Sequence, residues 1–207
     1  MSAVERYLVP ASRHRVEETI LRSRFITSVA PAPTLADATA FVREVSAEFP
    51  DATHNCWAYL VGPPGTTTRI GMSDDGEPHG TAGRPMLHVL LHSDVGDVAA
   101  VVTRYYGGQK LGTGGLARAY SGGVQLALAT LPRMERVDLV AGRLVVDYAH
   151  VSAVQQLLPT VEAEVVAQEY LERVTYELQL PRSRVEELRR AVLDVTRGQA
   201  ELETPEP

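Results

Sequence analysis

Cysteine is nearly missing from this sequence. Cys56 is the single one among 207 residues, so an internal disulfide is excluded and the chain suits a reducing compartment. Long apolar runs are missing too: nothing approaches the roughly 18 residues that a membrane-spanning helix needs. The opening MSAVERYLVPASRHRVEE is too charged and too poor in apolar residues for a secretory signal. A cytoplasmic protein with no membrane partner is the expectation. Six histidines are present without an HExxH or paired-cysteine spacing, so they define no zinc site. Ser121 lacks a G-x-S-x-G setting, and no GK[ST] follows the glycine-rich stretches, which removes the Walker loop. His54 and Cys56 share a strand face by their spacing, yet a lone strand cysteine is ordinarily core.

Acid is missing from one long segment. Between Val98 and Arg133 stand four bases, Arg104, Lys110, Arg118 and Arg133, and no carboxylate. Residues 1–134 balance 12 basic against 12 acidic side chains, whereas 135–207 hold 8 and 14, so the whole net charge of -6 lies in the last third. A polyanion would therefore meet the earlier part of the chain, if any part.

Glycine, by contrast, is concentrated in that acid-free segment. Five of the nine residues from Gly107 to Gly115 are glycine, at a conformational cost that implies a demanding turn or a bound partner. A second glycine-rich stretch, DDGEPHGTAGRP at Asp74 to Pro85, precedes it.

The rest of the chain reads in order as follows. Val16 to Ile20 and Phe25 to Val29 suggest a strand pair. Thr34 caps a helix whose stripe is Leu35, Ala38, Phe41, Val42 and Val45. THNCWAYLVG and the segment after PPG read as antiparallel strands. Thr81 is placed to cap the next helix, which carries Pro85 in its first turn. A central strand ends at Tyr106, and Thr113 is placed to cap a helix from about Gly115 to Leu131. From Arg136 the order β-α-β-β-α-β predicts a ferredoxin-like unit. The expected fold class is α+β, with one domain over 1–134 and a second over 135–207.

GTGGLA, Gly112 to Ala117, satisfies the dinucleotide pattern literally. TRYYGGQKL separates it from the preceding strand, however, and no second parallel strand follows. The physics survives without the motif. Amides at a helix N-terminus, flanked by cations, attract a phosphate. The candidate phosphate- or nucleic-acid-binding set is Arg104, Tyr105, Gly107, Gly108, Lys110, Gly112, Thr113, Gly114, Gly115 and Arg118. Tyr105 and Tyr106 offer stacking surfaces for a base. Asp74, Asp75, Gly76, Glu77, His79, Thr81 and Arg84 form the complementary loop, able to hold a hard cation or to form ion pairs and turn caps. No catalytic residue, resident metal or cofactor is assigned.

DDGEPHGTAGRP followed by VVTRYYGGQKLGTGGLARAY, with THNCWAY upstream, resembles the IMPACT family and within it the bacterial YigZ-type members. The likeness covers roughly Arg15 to Leu131. His79, Tyr106 and Gln109 stand where the pattern has a small residue, phenylalanine and an aliphatic. The resemblance implies an N-terminal α/β sandwich like the second domain of a small-subunit ribosomal protein. It also implies a ferredoxin-like C-terminal domain similar to the last domain of elongation factor G, and a link to regulation of translation.

Three readings of function remain open at this point. The first is a binding module that contacts RNA phosphates, on a ribosome or another translation component, through the Gly107 to Gly115 loop. The second is an enzyme on a small phosphorylated substrate, with Asp74, Asp75 or Glu77 holding Mg²⁺ or acting as base. The third is a regulator that binds a protein partner through a surface both loops build.

Overall fold

The computed structural model describes residues 6–204. Along them run β1 (Arg6–Pro10), β2 (His14–Ile20), β3 (Ser23–Pro31), α1 (Leu35–Glu48), β4 (His54–Leu60), β5 (Ile70–Ser73) and α2 (Gly83–Leu91). Next come β6 (Val98–Tyr105), α3 (Gly112–Thr130), β7 (Arg133–Val137), β8 (Leu139–Val146), α4 (Val151–Leu157) and β9 (Glu164–Tyr170). The last elements are β10 (Val174–Pro181), α5 (Val185–Thr196) and β11 (Glu201–Glu203). The chain divides into two compact units between Arg136 and Val137, with Arg6 belonging to the second.

In the first unit an antiparallel sheet runs in the order β2-β3-β6-β4-β5. Strand β6 is central, and its small and β-branched residues fit a strand covered on both faces. Alternation sorts them. Val98, Ala100 and Val102 join Met86 and Leu90 of α2 and Leu116, Tyr120 and Val124 of α3 in one core. Ala99 and Val101 face the other way, against Ala38, Phe41 and Val45 of α1. These α1 residues recur at spacings of three and four, which makes one helical stripe, and burying Phe41 or Val45 contributes about 1.5–3 kcal/mol each. A reciprocal cap starts α1: Thr34 Oγ1 accepts from the Asp37 amide at 3.1 Å, and Asp37 Oδ2 accepts from the Thr34 amide at 3.1 Å. Each exchange satisfies an amide that the first turn leaves open. Strands β1 and β7 pair as a separate two-stranded ribbon.

In the second unit β8, α4, β9, β10, α5 and β11 follow the βαββαβ order, and the sheet runs β11-β8-β10-β9 with antiparallel neighbours throughout. That is the ferredoxin-like arrangement. Val140, Leu144 and Val146 of β8 and Tyr176, Leu178 and Leu180 of β10 pack against Val154 of α4 and against Leu188 and Val192 of α5. The opposite sheet face is exposed and carries Glu169, Glu177, Glu201 and Glu203. The protein is thus α+β in two units. Among the described residues no helix is long and apolar enough to cross a membrane.

Candidate functional site

The alternation of β6 continues past its apolar residues. Arg104 lies two positions beyond Val102, on the face that α2 and α3 cover, with Phe25 of β3 and His54 of β4 as its register partners. It is 5 % exposed. A buried guanidinium requires a partner, and the partner is Glu77, 7 % exposed. Arg104 Nη1 donates to Glu77 Oε1 at 2.5 Å, and the Tyr120 hydroxyl donates to the same oxygen at 2.7 Å. The rings of Phe25 and Tyr106 flank the guanidinium, each centroid 5.4 Å from Arg104 Cζ, a favourable placement of cation over ring. Nη2 reaches Ser23 Oγ at 3.4 Å. The buried Nε has no acceptor.

The acidic loop turns its carboxylates to three different tasks. Asp74 caps α2: Oδ1 accepts from the amides of Ala82 at 3.0 Å and Gly83 at 2.8 Å, and Oδ2 from Gly80 at 2.7 Å. Burial pushes the Asp74 carboxyl up, but these amides outweigh it and hold the group below the usual carboxylate range. Asp75 Oδ2 accepts from the Asn55 amide at 2.6 Å, which ties the loop to β4. Glu77 neutralises Arg104. Thr81, expected as the cap of α2, instead donates from Oγ1 to the Pro78 carbonyl at 2.6 Å, and no side chain of the N-cap residue Ala82 bonds the helix. Arg84 and His79 are exposed, with His79 Nδ1 3.8 Å from Asp74 Oδ2. Because the carboxylates diverge, the cation-binding loop does not assemble. Among the described residues no three His, Cys, Asp or Glu side chains converge to hold a metal.

The glycine loop meets this region from the other side. Gly107 is held by close approach: a Cβ there would lie 2.0 Å from the Arg22 carbonyl oxygen, and its amide donates to Ser23 Oγ at 3.2 Å. Gly112 has φ +69°, the left-handed region that favours glycine, and α3 begins there, three residues before the expected start. Thr113 therefore sits inside the first turn and caps nothing; the N-cap residue is Leu111, and no side chain caps α3. The amides of Gly112, Thr113 and Gly114 lack intrahelical acceptors as a consequence of helix geometry. Lys110 and Arg118 are exposed and form no ion pair among the described residues. A Cβ on Gly114 would come 3.6 Å from Arg118 Nη1, so the Arg118 guanidinium folds back over that first turn.

A cleft of about 480 Å³ opens where the two loops meet. The uncapped start of α3 contributes Gly112 and Thr113, with Lys110 beside them; Arg104 and Glu77 contribute polar atoms, and Tyr106, Leu111, Leu116 and Pro78 supply apolar wall. His54 also lines it. Its Nδ1 lies 2.6 Å from the Asp75 carbonyl oxygen; a carbonyl only accepts, so Nδ1 is the donor.

The geometry sorts the expected site residues. Lys110, Gly112, Thr113, Gly114 and Arg118 gather at the helix terminus. Arg104 lines the cleft but is a buried, neutralised cation. Tyr105 falls outside: its hydroxyl donates to Asp51 Oδ1 at 2.8 Å and its ring lies 5.7 Å from Arg24 Cζ, because neighbours along a strand face opposite sides. Tyr106, whose amide is fixed by Thr53 Oγ1 at 3.0 Å, lines the cleft in its place. Gly107, Gly108, Gly114, Gly115 and Arg118 are not among the residues that line it. Thr53 and His54 come from outside both glycine stretches; only the pairing of β4 with β6 shows that they belong. Cys56 donates to the Asp74 carbonyl oxygen at 2.9 Å. Burial, with the charges of Glu77, Asp75 and Asp74 adding to it, pushes the thiol up to about 12. It is no nucleophile at neutral pH.

Fold and site together describe a two-unit α+β protein whose first unit presents an uncapped helix terminus in a cleft. The Impact N-terminal domain matches residues 21–128, and a domain of unknown function (DUF1949) matches residues 144–199. The chain is 42% identical over 199 residues to the IMPACT family member YigZ of Escherichia coli (strain K12), which covers 96% of this chain and 98% of that protein. It is 47% identical over 162 residues to an IMPACT family member of Haemophilus influenzae, covering 78% of this chain and 79% of that one. A crystal structure described as that of a hypothetical protein aligns over 98% of both chains with 41% identity and a TM-score of 0.69. The chain belongs to the IMPACT family.

Proposed function

We propose that this is a cytoplasmic, translation-associated binding protein that contacts single-stranded RNA phosphates through the start of α3. One observation carries the reading: a 19-residue helix begins without a side-chain cap, its first-turn amides beside the exposed, unpaired cations Lys110 and Arg118. Such a terminus stabilises an anion through its amides and the positive end of its dipole. Membership of the IMPACT family supports the association with translation. Residues 135–207, with 8 basic against 14 acidic side chains, repel a polyanion, so the first unit is the one in question. Asp74, Asp75 and Glu77 are each committed to hydrogen bonds within the protein, which supports this reading over a Mg²⁺-dependent enzyme.

The test is fluorescence anisotropy with a labelled single-stranded oligoribonucleotide across a salt series. Two phosphates neutralised by Lys110 and Arg118 give a log–log slope of about -1.4, at roughly -0.7 per phosphate. The variant Lys110→Ala/Arg118→Ala abolishes most of that slope and leaves the melting temperature unchanged, since both side chains are exposed. Undiminished RNA retention by the double variant would reject the reading.

A further inference from the structure

In the sheet of the second unit, ordered β11-β8-β10-β9, strand β9 lies at the end, and each of its seven residues is exposed. The other edges of the two sheets are short or charged: β11 has three residues and β5 four, while β2 carries Arg15, Glu17 and Glu18. Shortness and charge keep an edge from pairing with another chain. Strand β9 is longer, lacks proline and is apolar along one face. The buried Val174 and Tyr176 of β10 have Tyr170 and Gln168 as register partners, so Val166, Gln168 and Tyr170 share the side of the sheet that the helices cover. Helices α4 and α5 pack on β8 and β10 and leave these side chains in solvent. Val166 is 63 % exposed and has no partner on β10, because Val165 pairs with Leu178 and Ala167 with Glu177. Just beyond the strand Leu171 is 67 % exposed, its carbonyl accepting from the hydroxyl of the exposed Tyr148 at 2.8 Å. An apolar edge of this kind marks an interaction surface.

We propose that β9 pairs antiparallel with β9 of a second copy of this chain, about a two-fold axis at Gln168. The strand is self-complementary in that register. Val166 meets Tyr170 twice, Ala167 meets Glu169 twice, and Gln168 meets Gln168, two amides able to exchange hydrogen bonds. A β-branched residue opposite an aromatic one is a favourable cross-strand pair, and no glutamate lies directly opposite another. The neighbouring registers are worse. Centring the pair on Glu169 sets like charges opposite each other, and centring it on Ala167 sets Val166 against Gln168 and removes the Val166–Tyr170 pairs. The irregularity at Val166 bounds the ladder to residues 166–170. A two-fold pairing uses the same patch on both copies and closes, so it stops at a dimer. So short an interface makes the dimer a weak one. The surface belongs to the second unit and is independent of the RNA reading.

Sedimentation equilibrium of the full chain, from micromolar to millimolar concentration, tests this. The expected result is a mass that rises toward twice that of one chain. Gln168→Lys and Gln168→Glu each set like charges across the axis and weaken association at least about 10-fold. An equimolar mixture of the two variants associates again, since lysine then faces glutamate. Gln168 is exposed, so both variants fold, which an unchanged melting temperature confirms. A wild type that stays monomeric at millimolar concentration overturns the proposal, as does a dimer that Gln168→Lys leaves intact or a mixture that fails to associate. Amide exchange identifies any other occupant: a monomer whose amides from Val166 to Tyr170 are protected at every concentration has its edge covered differently, and overturns the pairing equally.

Discussion

Replacing Asp74 by alanine removes the acceptor of three amides at once. Ala82 and Gly83 are buried, and Gly80 is half-buried, so water reaches the last but not the first two. Two orphaned buried donors cost about 1–3 kcal/mol each. Loss of a helix cap alone is ordinarily worth about 0.5–2 kcal/mol, and Asp74 exceeds that by serving loop and helix together. A loss of about 4 kcal/mol follows for Asp74→Ala. Asp74→Asn keeps Oδ1 for Ala82 and Gly83 but turns an amino group toward Gly80, so it loses about half as much. The assay is urea denaturation followed by Trp57, the single tryptophan. It lies on β4, stacked on Tyr59 with centroids 5.6 Å apart, and so reports the unit that contains α2. The sign with pH is fixed by the direction of the shift. Burial pushes the Asp74 carboxyl up, and the amides of Gly80, Gly83 and Ala82 pull it further down. A depressed carboxyl stabilises the fold above its ordinary value of about 3.9 and loses that contribution as pH falls through the lower folded value. The gap between wild type and Asp74→Asn therefore narrows below about pH 4. A penalty under 1 kcal/mol for Asp74→Ala, or a gap indifferent to acid, would refute the capping argument.

Two adjacent glycines in α3 separate packing from propensity. A Cβ on Gly123 would lie 2.5 Å from Thr27 Oγ1, so Gly123→Ala destabilises by about 1–3 kcal/mol; nothing lies within 4 Å of the same atom on Gly122, and Gly122→Ala stabilises by about 0.4–1 kcal/mol, both read from urea midpoints. The Cys56 thiol, pushed up to about 12, stays unmodified by iodoacetamide at pH 8 in the folded protein and reacts in urea, as mass spectrometry would register.

Periodicity made much of this fold legible. The α1 stripe, the apolar β6 and the βαββαβ order of the second unit all follow from spacing, because burial of one face repeats with the element. What stayed hidden depends on contacts between segments distant in sequence. Thr81 stands directly before α2 and has the chemistry of a cap; Asp74 takes the role because the left-handed turn at Asp75, φ 42°, brings its carboxylate back over the helix start. By sequence Arg104 is either a phosphate contact or the ion-pair partner of an acid in the other loop, and the structure shows the pair, with Glu77. The period-two alternation from Val98 through Val102 already pointed it beneath α3, but its partner Glu77, 27 residues away, could not be read from spacing. The same parity separates Tyr105 from Tyr106, only one of which can face the cleft. His54 enters the site through its pairing with β6, which no local pattern announces.

RNA binding through α3 requires its first turn to be open to a negatively charged group. Titrating ¹⁵N-labelled protein with a short single-stranded oligoribonucleotide tests it residue by residue. The predicted result is saturable shifts of the Gly112, Thr113 and Gly114 amides, with Tyr106 following and the amides of β8 and β10 unmoved. Shifts confined to the second unit, or none at α3 under conditions where RNA binds, would contradict it.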